Sequence, residues 1–250
     1  MKALIIGSGN LAWHFSKNLI NAGIEIPLLM SRNPNPKDFP FLYQTEFVNN
    51  FITNSNFRPD YIFLLVNDDV ISSLAGMIAA QESLRDSIVI HCSGAGNLNL
   101  LSELNNYGIM YPLQSLKKGL EIDFKKNVPL FIEANNNFSL AGIKELANKI
   151  SDSVTEMDSE QRLKMHVAAV FVNNFVNHLL TNSELISGEH FKLLMPLLRE
   201  TINRISKESP ALLQTGPAVR GDQKTIQKHL EYLSKQHPEL VDEYEFLTKI

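Results

Sequence analysis

The chain has 250 residues, of which 44% are hydrophobic and 20% are charged, so its composition is globular and excludes a disordered or fibrous protein. Lysine and arginine number 23 against 27 for aspartate and glutamate, and the net charge of −4 does not favour binding to nucleic acid. The single cysteine cannot form an internal disulfide, no apolar run reaches the roughly 18 residues of a membrane span, and no signal peptide is evident. We therefore predict a cytoplasmic protein that binds neither nucleic acid nor a membrane.

The first half of the chain alternates short apolar runs with helical patterns. The apolar runs predict strands at Lys2–Ile6, Ile24–Met30, Tyr61–Val66, Ser87–His91, Ile109–Tyr111, Val128–Glu133 and Val154–Met157. Helical patterns between them predict helices at Asn10–Ala22, Asp68–Ala80, Asn97–Asn106 and Ser139–Ile150. The early strands are apolar on both faces, and repeated strand–helix–strand units of this kind predict an α/β fold with a doubly wound parallel sheet.

The character of the sequence changes near Asp158, after which no strand pattern recurs. A helix capped at Asp158 or Ser159 can continue, without Gly or Pro, to about Ser187. Further helices are predicted around Phe191–Ser206 and from Asp222 onward. We therefore predict an α/β domain over residues 1–155 and an all-helical C-terminal domain over residues 156–250.

A glycine-rich segment, Gly7-Ser8-Gly9-Asn10-Leu11-Ala12, follows the first strand and opens the first helix. It fits the G-x-G-x-x-A pattern, in which Gly7 allows a tight turn, Gly9 lets a pyrophosphate approach the backbone and Ala12 keeps the helix close to the strand. The helix N-terminus offers free N–H groups to the anion. The same glycines could form a turn that binds nothing, but their place in a strand–helix–strand unit favours dinucleotide binding.

The end of the second predicted strand indicates which dinucleotide is bound. An NAD site would usually have a carboxylate there, whereas this chain has Ser31 and Arg32, whose hydroxyl and guanidinium suit a 2′-phosphate. We therefore predict NADP rather than NAD, although Arg32 could equally be a solvated loop charge. Val66 and Asn67 end a later strand, where side chains commonly line the dinucleotide crevice.

The segment from His91 to Gly96 ends another strand and would face the nicotinamide. Cys92 has no defined base and is not expected to act as a nucleophile. Neither the spacing of His91 and Cys92 nor the adjacent Asp68 and Asp69 predicts a metal site.

The predicted helix over Leu163–Leu180 is apolar almost all round and is therefore expected to be buried. Successive residues of an α-helix are rotated by about 100° around the helix axis. His166, Asn173 and Asn177 therefore lie within roughly 40° of one another around that axis, and Asn174 lies about 80° from His166. Buried polar groups need partners, because each unpaired one costs ~1–3 kcal/mol. The partner could be a substrate, or polar groups of neighbouring helices such as those at a dimer interface.

The loop before the last helix contains Gly216, Pro217 and Gly221, and Asp222 is a natural N-cap for that helix. Arg220 in this loop could hold a substrate carboxylate or pair with an acidic side chain.

Five motifs in chain order carry a family resemblance: GSGNLA, HCSGA, YPLQS, HVAAVFVNNFVNHL and TGPAVRGD. Together they resemble a family of uncharacterised Rossmann-like proteins with a helical C-terminal domain of unknown function, over essentially the whole chain. That family is similar to pyrroline-5-carboxylate reductases, β-hydroxyacid dehydrogenases and deazaflavin-dependent NADP reductases. The helical domain of these relatives commonly mediates dimerisation.

The resemblance implies a cofactor site, a substrate crevice and a homodimer formed through the helical domain. The implied NADP-binding residues are Gly7, Gly9, Asn10, Leu11, Ser31 and Arg32. The residues implied to face a small-molecule substrate are Ser93, His166 and Asn173 or Asn174. The chain departs from the β-hydroxyacid dehydrogenases, because Ala169 and Val170 stand where a catalytic lysine would be, and Tyr111 replaces a histidine that is frequent in related sequences. The proton-transfer chemistry of those dehydrogenases therefore cannot be carried over.

These observations predict an NADP-dependent oxidoreductase that transfers a hydride between the nicotinamide and a small carbonyl, hydroxy-acid or imine substrate. We expect His166 to exchange the accompanying proton and Asn173 or Asn174 to orient the acceptor. Ser93, Asn177 and Arg220 are further expected substrate contacts. The alternative is a non-catalytic NADP-binding sensor or scaffold, which the missing lysine favours and the polar line on the long helix disfavours.

Overall fold

The computed structural model describes residues 1–49 and 57–249 of the chain. It separates into two compact units, Met1–Val170 and Phe171–Ile250. Within the described residues, no helix combines the length and the apolar composition that crossing a membrane requires.

The first unit is built on a sheet of eight strands within the described residues, in the order β3-β2-β1-β4-β5-β6-β7-β8. The strands are β1 (Lys2–Ile6), β2 (Glu25–Met30), β3 (Glu46–Val48), β4 (Tyr61–Leu64), β5 (Ile88–His91), β6 (Tyr107–Pro112), β7 (Leu130–Ala134) and β8 (Val154–Glu156). The first six run parallel in the order of a doubly wound dinucleotide-binding sheet, which confirms the predicted fold class. The order reverses between β1 and β4, and this reversal opens a crevice at the carboxyl ends of the strands.

Helices cover both faces of this sheet. The helices of this unit are α1 (Asn10–Asn21), α2 (Ile71–Ala79), α3 (Phe124–Asn127), α4 (Asn137–Ile150) and α5 (Ser159–Ala169), and residues of the first four belong to the clusters packed on the sheet. Alternate strand residues separate into two buried clusters: Ile5 and Phe63 pack with residues of α1 and α4, whereas Leu4 and Ile62 pack with residues of α2. Because the strands are buried on both faces, they read as continuous apolar runs in the sequence.

Two expectations about this unit were wrong in part. β7 pairs antiparallel with β6, and β8 runs parallel to β7, so the sheet is mostly rather than wholly parallel. The connection between β6 and β7 contains only the one-turn helix α3, whereas a parallel return usually needs a crossover helix on the face of the sheet. The predicted helix Asn97–Asn106 is a single 3₁₀ turn, Leu98–Leu101, where the Asn97 side chain accepts a hydrogen bond from the N–H of Asn99. Asparagines favour such local bonds over a continuing helix.

The long C-terminal helix begins as predicted. Asp158 is the N-cap of α5, and its side chain and that of Gln161 form a reciprocal capping box. The helical path runs through a π-helical segment, Val170–Phe175, and ends at Ser187 before Gly188, whose φ is 54°. The first compact unit extends to Val170 and so includes all of α5.

The second unit is helical. Its helices are α6 (Val176–Ser187), α7 (Met195–Ile205), α8 (Pro210–Leu213), α9 (Gln223–Gln236) and α10 (Val241–Leu247), with a 3₁₀ segment at Gly188–Leu194. Asp222 caps α9, as predicted, by accepting a hydrogen bond from the N–H of Thr225. Buried apolar side chains in this unit come from Ile226, Leu233 and Leu240.

The expectation that the helix over Leu163–Leu180 is buried was wrong for this chain. Exposure reaches 63% at Phe171, 74% at Val172 and 48% at Phe175. A helix that is apolar on every face is expected to be buried. Its sequence does not show whether the surface that buries it belongs to the same chain or to another.

Candidate functional site

The glycine-rich loop has the geometry that its sequence predicts. Gly7 has a φ of 126°, and a Cβ at this position would lie 2.1 Å from the backbone oxygen of Leu65, so only glycine fits. At Gly9, by contrast, a Cβ would meet no described atom within 4 Å, which leaves open space beside the backbone. Gly9 is the N-cap of α1 and no side chain caps the helix, so the first N–H groups of α1 remain available to an anion.

The other residues of the loop hold the helix in place. Ala12 is fully buried, as expected for close packing of α1 on the sheet, and Leu11 packs against the larger apolar cluster. The Asn10 side chain accepts a hydrogen bond from the backbone N–H of Lys118, so its amide oxygen ties the loop to the segment after β6. Leu11 and Asn10 can therefore contribute backbone N–H groups to a ligand, while their side chains stabilise the loop.

A cavity of about 600 Å³ opens beside this loop at the carboxyl edge of the sheet. Five of the predicted cofactor residues line it: Gly7, Ser31, Arg32, Val66 and Asn67. The Ser31 hydroxyl lies 2.7 Å from that of Ser8, which links the end of β2 to the phosphate loop. Arg32 is exposed, and within residues 1–49 and 57–249 it forms no ion pair. The lining also includes Asp69 and the side chains of Met30, Leu74 and Met77, which offer an apolar surface for a flat ring.

The loop after β5 is fixed by Ser93. Its hydroxyl donates a hydrogen bond to Oδ2 of Asp68 at 2.6 Å and accepts from the N–H groups of Gly96 and Ala95. One donor and two acceptor positions fill the ordinary capacity of a hydroxyl. Contact between Ser93 and a substrate stays a prediction, and such a contact would have to replace one of these bonds.

Tyr111 and His166 meet at the same edge of the sheet. Tyr111 stands near the carboxyl end of β6 and His166 on α5, and the phenolic oxygen lies 2.9 Å from Nδ1 of the imidazole. Their rings pack edge to face, with centroids 5.6 Å apart. Gly94 closes the space beneath them, since a Cβ there would lie 2.6 Å from His166 Nδ1 and 2.9 Å from Tyr111 Cε2.

A buried arginine supports this pair from one helical turn away. Arg162 precedes His166 by four residues on α5, and its side chain is 1% exposed. Its guanidinium forms an ion pair with Glu133 of β7 and donates a hydrogen bond to the backbone oxygen of Gly96. Arg162 therefore joins α5 to β7 and to the loop that contains Gly94.

Burial and the charge of Arg162 shift the pKa values of titratable groups in this part of the structure. Burial, with a smaller contribution from the positive charge of Arg162, lowers the pKa of His91 to about 4. His91 Nδ1 accepts the N–H of Ser93, so His91 is a neutral structural residue. Burial raises the pKa of the Tyr111 phenol, and the Arg162 charge opposes that effect. Burial also raises the pKa of Cys92, which is consistent with an unreactive thiol.

The remaining predicted site residues belong to the second unit. Asn173, Asn174 and Asn177 are exposed, and the Asn173 amide donates to Oδ1 of Asn174 at 3.3 Å. In a π-helix each residue advances by less than the 100° of an α-helix, so the angles predicted for the polar line do not apply across Val170–Phe175. The grouping of these asparagines with His166 stays a prediction. Arg220 is exposed in the turn before α9, and its role as a carboxylate anchor also stays a prediction.

The strand order, the glycine loop at the first strand and the crevice beside it define a Rossmann-like α/β protein. The chain belongs to a family of Rossmann-like proteins of unknown function, and the domain of unknown function DUF2520 matches residues 128–250.

Solved structures share this fold. A proposed NADP oxidoreductase from Bacteroides fragilis is 30% identical, with a TM-score of 0.88 over 99% of this chain and 96% of its own. A Thermotoga maritima protein is 23% identical, with a TM-score of 0.70 over 99% of this chain and 95% of its own. An imine reductase from Myxococcus stipitatus, in complex with NADP⁺, is 13% identical, with a TM-score of 0.65 over 100% of this chain and 93% of its own. Among proteins of curated function, none matches this sequence.

Sequence reasoning did not assign Tyr111 or Arg162 to the site, and it included Gly94 only as part of the segment from His91 to Gly96 that was expected to face the nicotinamide. Arg162 carried a usable signal, because a charged residue one helical turn before His166 shares its helix face. Tyr111 was noted as a departure from related sequences, but its partner lies 55 residues away. The packing role of Gly94 has no local signal, because the side chains that require a small residue there, His166 and Tyr111, belong to two other elements.

Proposed function

We propose that this protein is an NADP-dependent oxidoreductase that reduces a C=O or C=N bond of a small substrate, or catalyses the reverse reaction. The observation that carries the proposal is a phosphate loop with open space at Gly9, facing a cavity with Ser31 and Arg32 at its rim. The absence of a carboxylate at residues 29–33 and the presence of a guanidinium support NADP over NAD. When bound, the cofactor would supply or accept the hydride.

Residues near the carboxyl ends of the neighbouring strands support a role for His166 in proton exchange. Gly7, Asn67, Gly94 and Tyr111 all stand at or just beyond the carboxyl ends of parallel strands, which is where ligands bind in open α/β sheets. His166 is half-buried and is held there by Tyr111, so its imidazole can exchange a proton with a substrate oxygen or nitrogen. Asn173 or Asn174 would orient the acceptor, with Asn177 and Arg220 as further contacts.

Cofactor binding and turnover test the proposal separately. Titration followed by cofactor fluorescence should show tighter binding of NADPH than of NADH. Small imines, 2-oxo acids and 3-oxo acids should then be screened for oxidation of bound NADPH. His166→Ala should abolish turnover with nearly unchanged NADPH affinity, whereas His190→Ala, at an exposed site in the second unit, should alter neither.

Each negative result has a distinct meaning. Failure to bind either cofactor would overturn the proposal, and unchanged turnover in His166→Ala would remove the assigned role of His166. Tight NADPH binding without turnover of any substrate class would instead favour the non-catalytic sensor or scaffold.

A homodimer through the helical unit forms the second part of the proposal. The long helix and those after it expose many large apolar side chains: Phe171, Val172, Phe175, Val176, Leu179, Leu193, Leu197 and Ile202. Monomeric proteins rarely expose contiguous apolar patches above a few hundred Å². A second copy of the chain would supply an equally apolar surface under two-fold symmetry.

Sedimentation of the full chain tests the dimer. Val172→Glu would place a charge in the interface and should yield a monomer. The matched control is Leu120→Glu, which alters a leucine of the first unit that is 62% exposed and should leave the dimer intact. A monomeric wild-type chain at micromolar concentration would contradict this part of the proposal.

A further inference from the structure

We propose that Tyr111 is a positioning residue for proton transfer by His166. Its hydroxyl donates a hydrogen bond to Nδ1 of His166 and so keeps the proton of the neutral imidazole on Nε2. When Nε2 protonates the substrate, the hydroxyl passes its own proton to Nδ1. The proposal rests on the oxidoreductase function above, and it adds a residue that the family resemblance marks only as a departure.

The geometry holds the imidazole in one orientation. Nδ1 is 2.9 Å from the phenolic oxygen, whereas Nε2 makes no hydrogen bond to any residue that the structure describes. Gly94 packs against Nδ1 and Cγ of the same ring, so the imidazole has no room to move toward the loop after β5. His166 is half-buried, which leaves Nε2 as the nitrogen that a substrate can reach.

The direction of the hydrogen bond follows from the partners of the phenol. Within the described residues, the Tyr111 hydroxyl has His166 Nδ1 as its hydrogen-bond partner. If Nδ1 carried the proton and donated it, the phenolic proton would lack an acceptor in a half-buried site, which is costly. The positive charge of Arg162 on α5 acts on the phenol, but within the described residues the phenol donates no hydrogen bond to that guanidinium. The phenol is therefore the donor.

The protons balance along this path. Nε2 gives one proton to the substrate oxygen or nitrogen, and the phenolic O–H bond breaks as the proton forms the new N–H bond at Nδ1. The imidazole stays neutral, the substrate gains one proton and Tyr111 becomes a phenolate. After the product leaves, Nε2 takes up a proton from solvent and Nδ1 returns its proton to the phenolate, which restores the starting state. The buried guanidinium of Arg162 favours this phenolate, since its positive charge opposes the burial that raises the pKa of Tyr111.

The substitution Tyr111→Phe removes the hydroxyl and keeps the ring that packs on His166. In the wild type at about pH 8.5, where imidazoles are neutral, ¹⁵N NMR of the His166 ring should show the proton on Nε2. In Tyr111→Phe the proton should distribute over both nitrogens, and kcat should fall by about 100-fold with KM and NADPH affinity changed by less than about threefold. The spectrum of His166→Gln lacks the ring signals of His166 and so identifies which ¹⁵N resonances belong to this imidazole. Tyr107→Phe on the same strand is the matched control and should leave both readouts unchanged.

The two readouts separate the possible failures. A wild-type His166 protonated on Nδ1, or an unchanged tautomer in Tyr111→Phe, would overturn the role of Tyr111 whatever the activity. Unchanged kcat in Tyr111→Phe would overturn it as well. If no substrate class is reduced but the tautomer shifts as expected, the pairing of Tyr111 with His166 stands and the oxidoreductase function fails.

Discussion

Gly94 lies so close to His166 that a single added methyl group would overlap the imidazole. A Cβ at Gly94 would stand 2.6 Å from Nδ1 and 2.8 Å from Cγ of His166. Gly94 therefore acts as a spacer, and the position of the imidazole depends on a residue with no chemistry of its own.

Gly94→Ala should therefore displace His166 from its position. We expect turnover to fall by about 100-fold, because a small misplacement of a reacting group is enough for such a loss, and stability to fall by about 1–3 kcal/mol. Steady-state kinetics and urea unfolding measure the two effects. Gly76→Ala is the control, since its Cβ would meet only the flexible carboxylate of Glu103. Equal activity of the two variants would contradict the assigned role of Gly94.

The two glycines of the phosphate loop should respond differently to the same substitution. Gly7→Ala introduces strain at a φ of 126° and a clash with the Leu65 backbone, so we expect a loss of about 3 kcal/mol in the free energy of unfolding. Gly9→Ala meets no described atom and should cost less than about 1 kcal/mol. It should nevertheless weaken NADPH binding by about tenfold, because its methyl group would occupy the space left for the pyrophosphate. Calorimetry and urea unfolding distinguish the two effects, and normal NADPH affinity in Gly9→Ala would contradict this use of the loop.

Arg32→Ala should discriminate between the cofactors. The loss of a charge-assisted hydrogen bond to the 2′-phosphate should weaken NADPH binding by about 10- to 100-fold and change NADH binding by less than about twofold. Fluorescence titration measures both, with Arg85→Ala at an exposed position on another surface as the control. Equal losses for the two cofactors would show that Arg32 does not read the 2′-phosphate.

The buried ion pair between Arg162 and Glu133 should contribute strongly to stability. Glu133→Gln leaves the buried guanidinium without its counter-charge, and we expect a cost of about 3 kcal/mol in urea unfolding. The control is Glu156→Gln, which breaks the exposed pair with Lys144 and should cost less than about 1 kcal/mol. A similar loss in both variants would indicate that solvent screens the Arg162–Glu133 pair as it does the exposed one.

Stability should also depend on pH through His91. Its pKa is lowered from 6.5 in the unfolded chain to about 4 in the folded chain, chiefly by burial. Between these values the unfolded state binds more protons, so the free energy of unfolding rises with pH over this window, by on the order of 3 kcal/mol in total. Burial lowers the pKa of His14 in the same direction, so the difference between the wild type and His91→Gln isolates the contribution of His91. Parallel pH profiles for the two proteins would contradict the low pKa.

The sequence by itself determined the elements that depend on neighbouring residues. The alternation of apolar runs and helical spacing predicted most of the strands and helices, including the capping of the long helix at Asp158. The glycine loop was equally readable, because the conformational freedom of Gly7 and the open backbone at Gly9 are properties of glycine in a strand-to-helix turn. These patterns involve residues that are close together in the sequence, and the structure contains the elements that they predict.

Only the tertiary structure decided what those elements bring together. The direction of β7 followed from a connection with no crossover helix, and the exposure of Phe171 and Val172 depends on which surface is available to cover them. Tyr111 and His166 are 55 residues apart, and Gly94 is confined by both at once. Such contacts depend on strand order and on the packing of α5 against the sheet, and no local period in the sequence encodes a distance between side chains of separate elements.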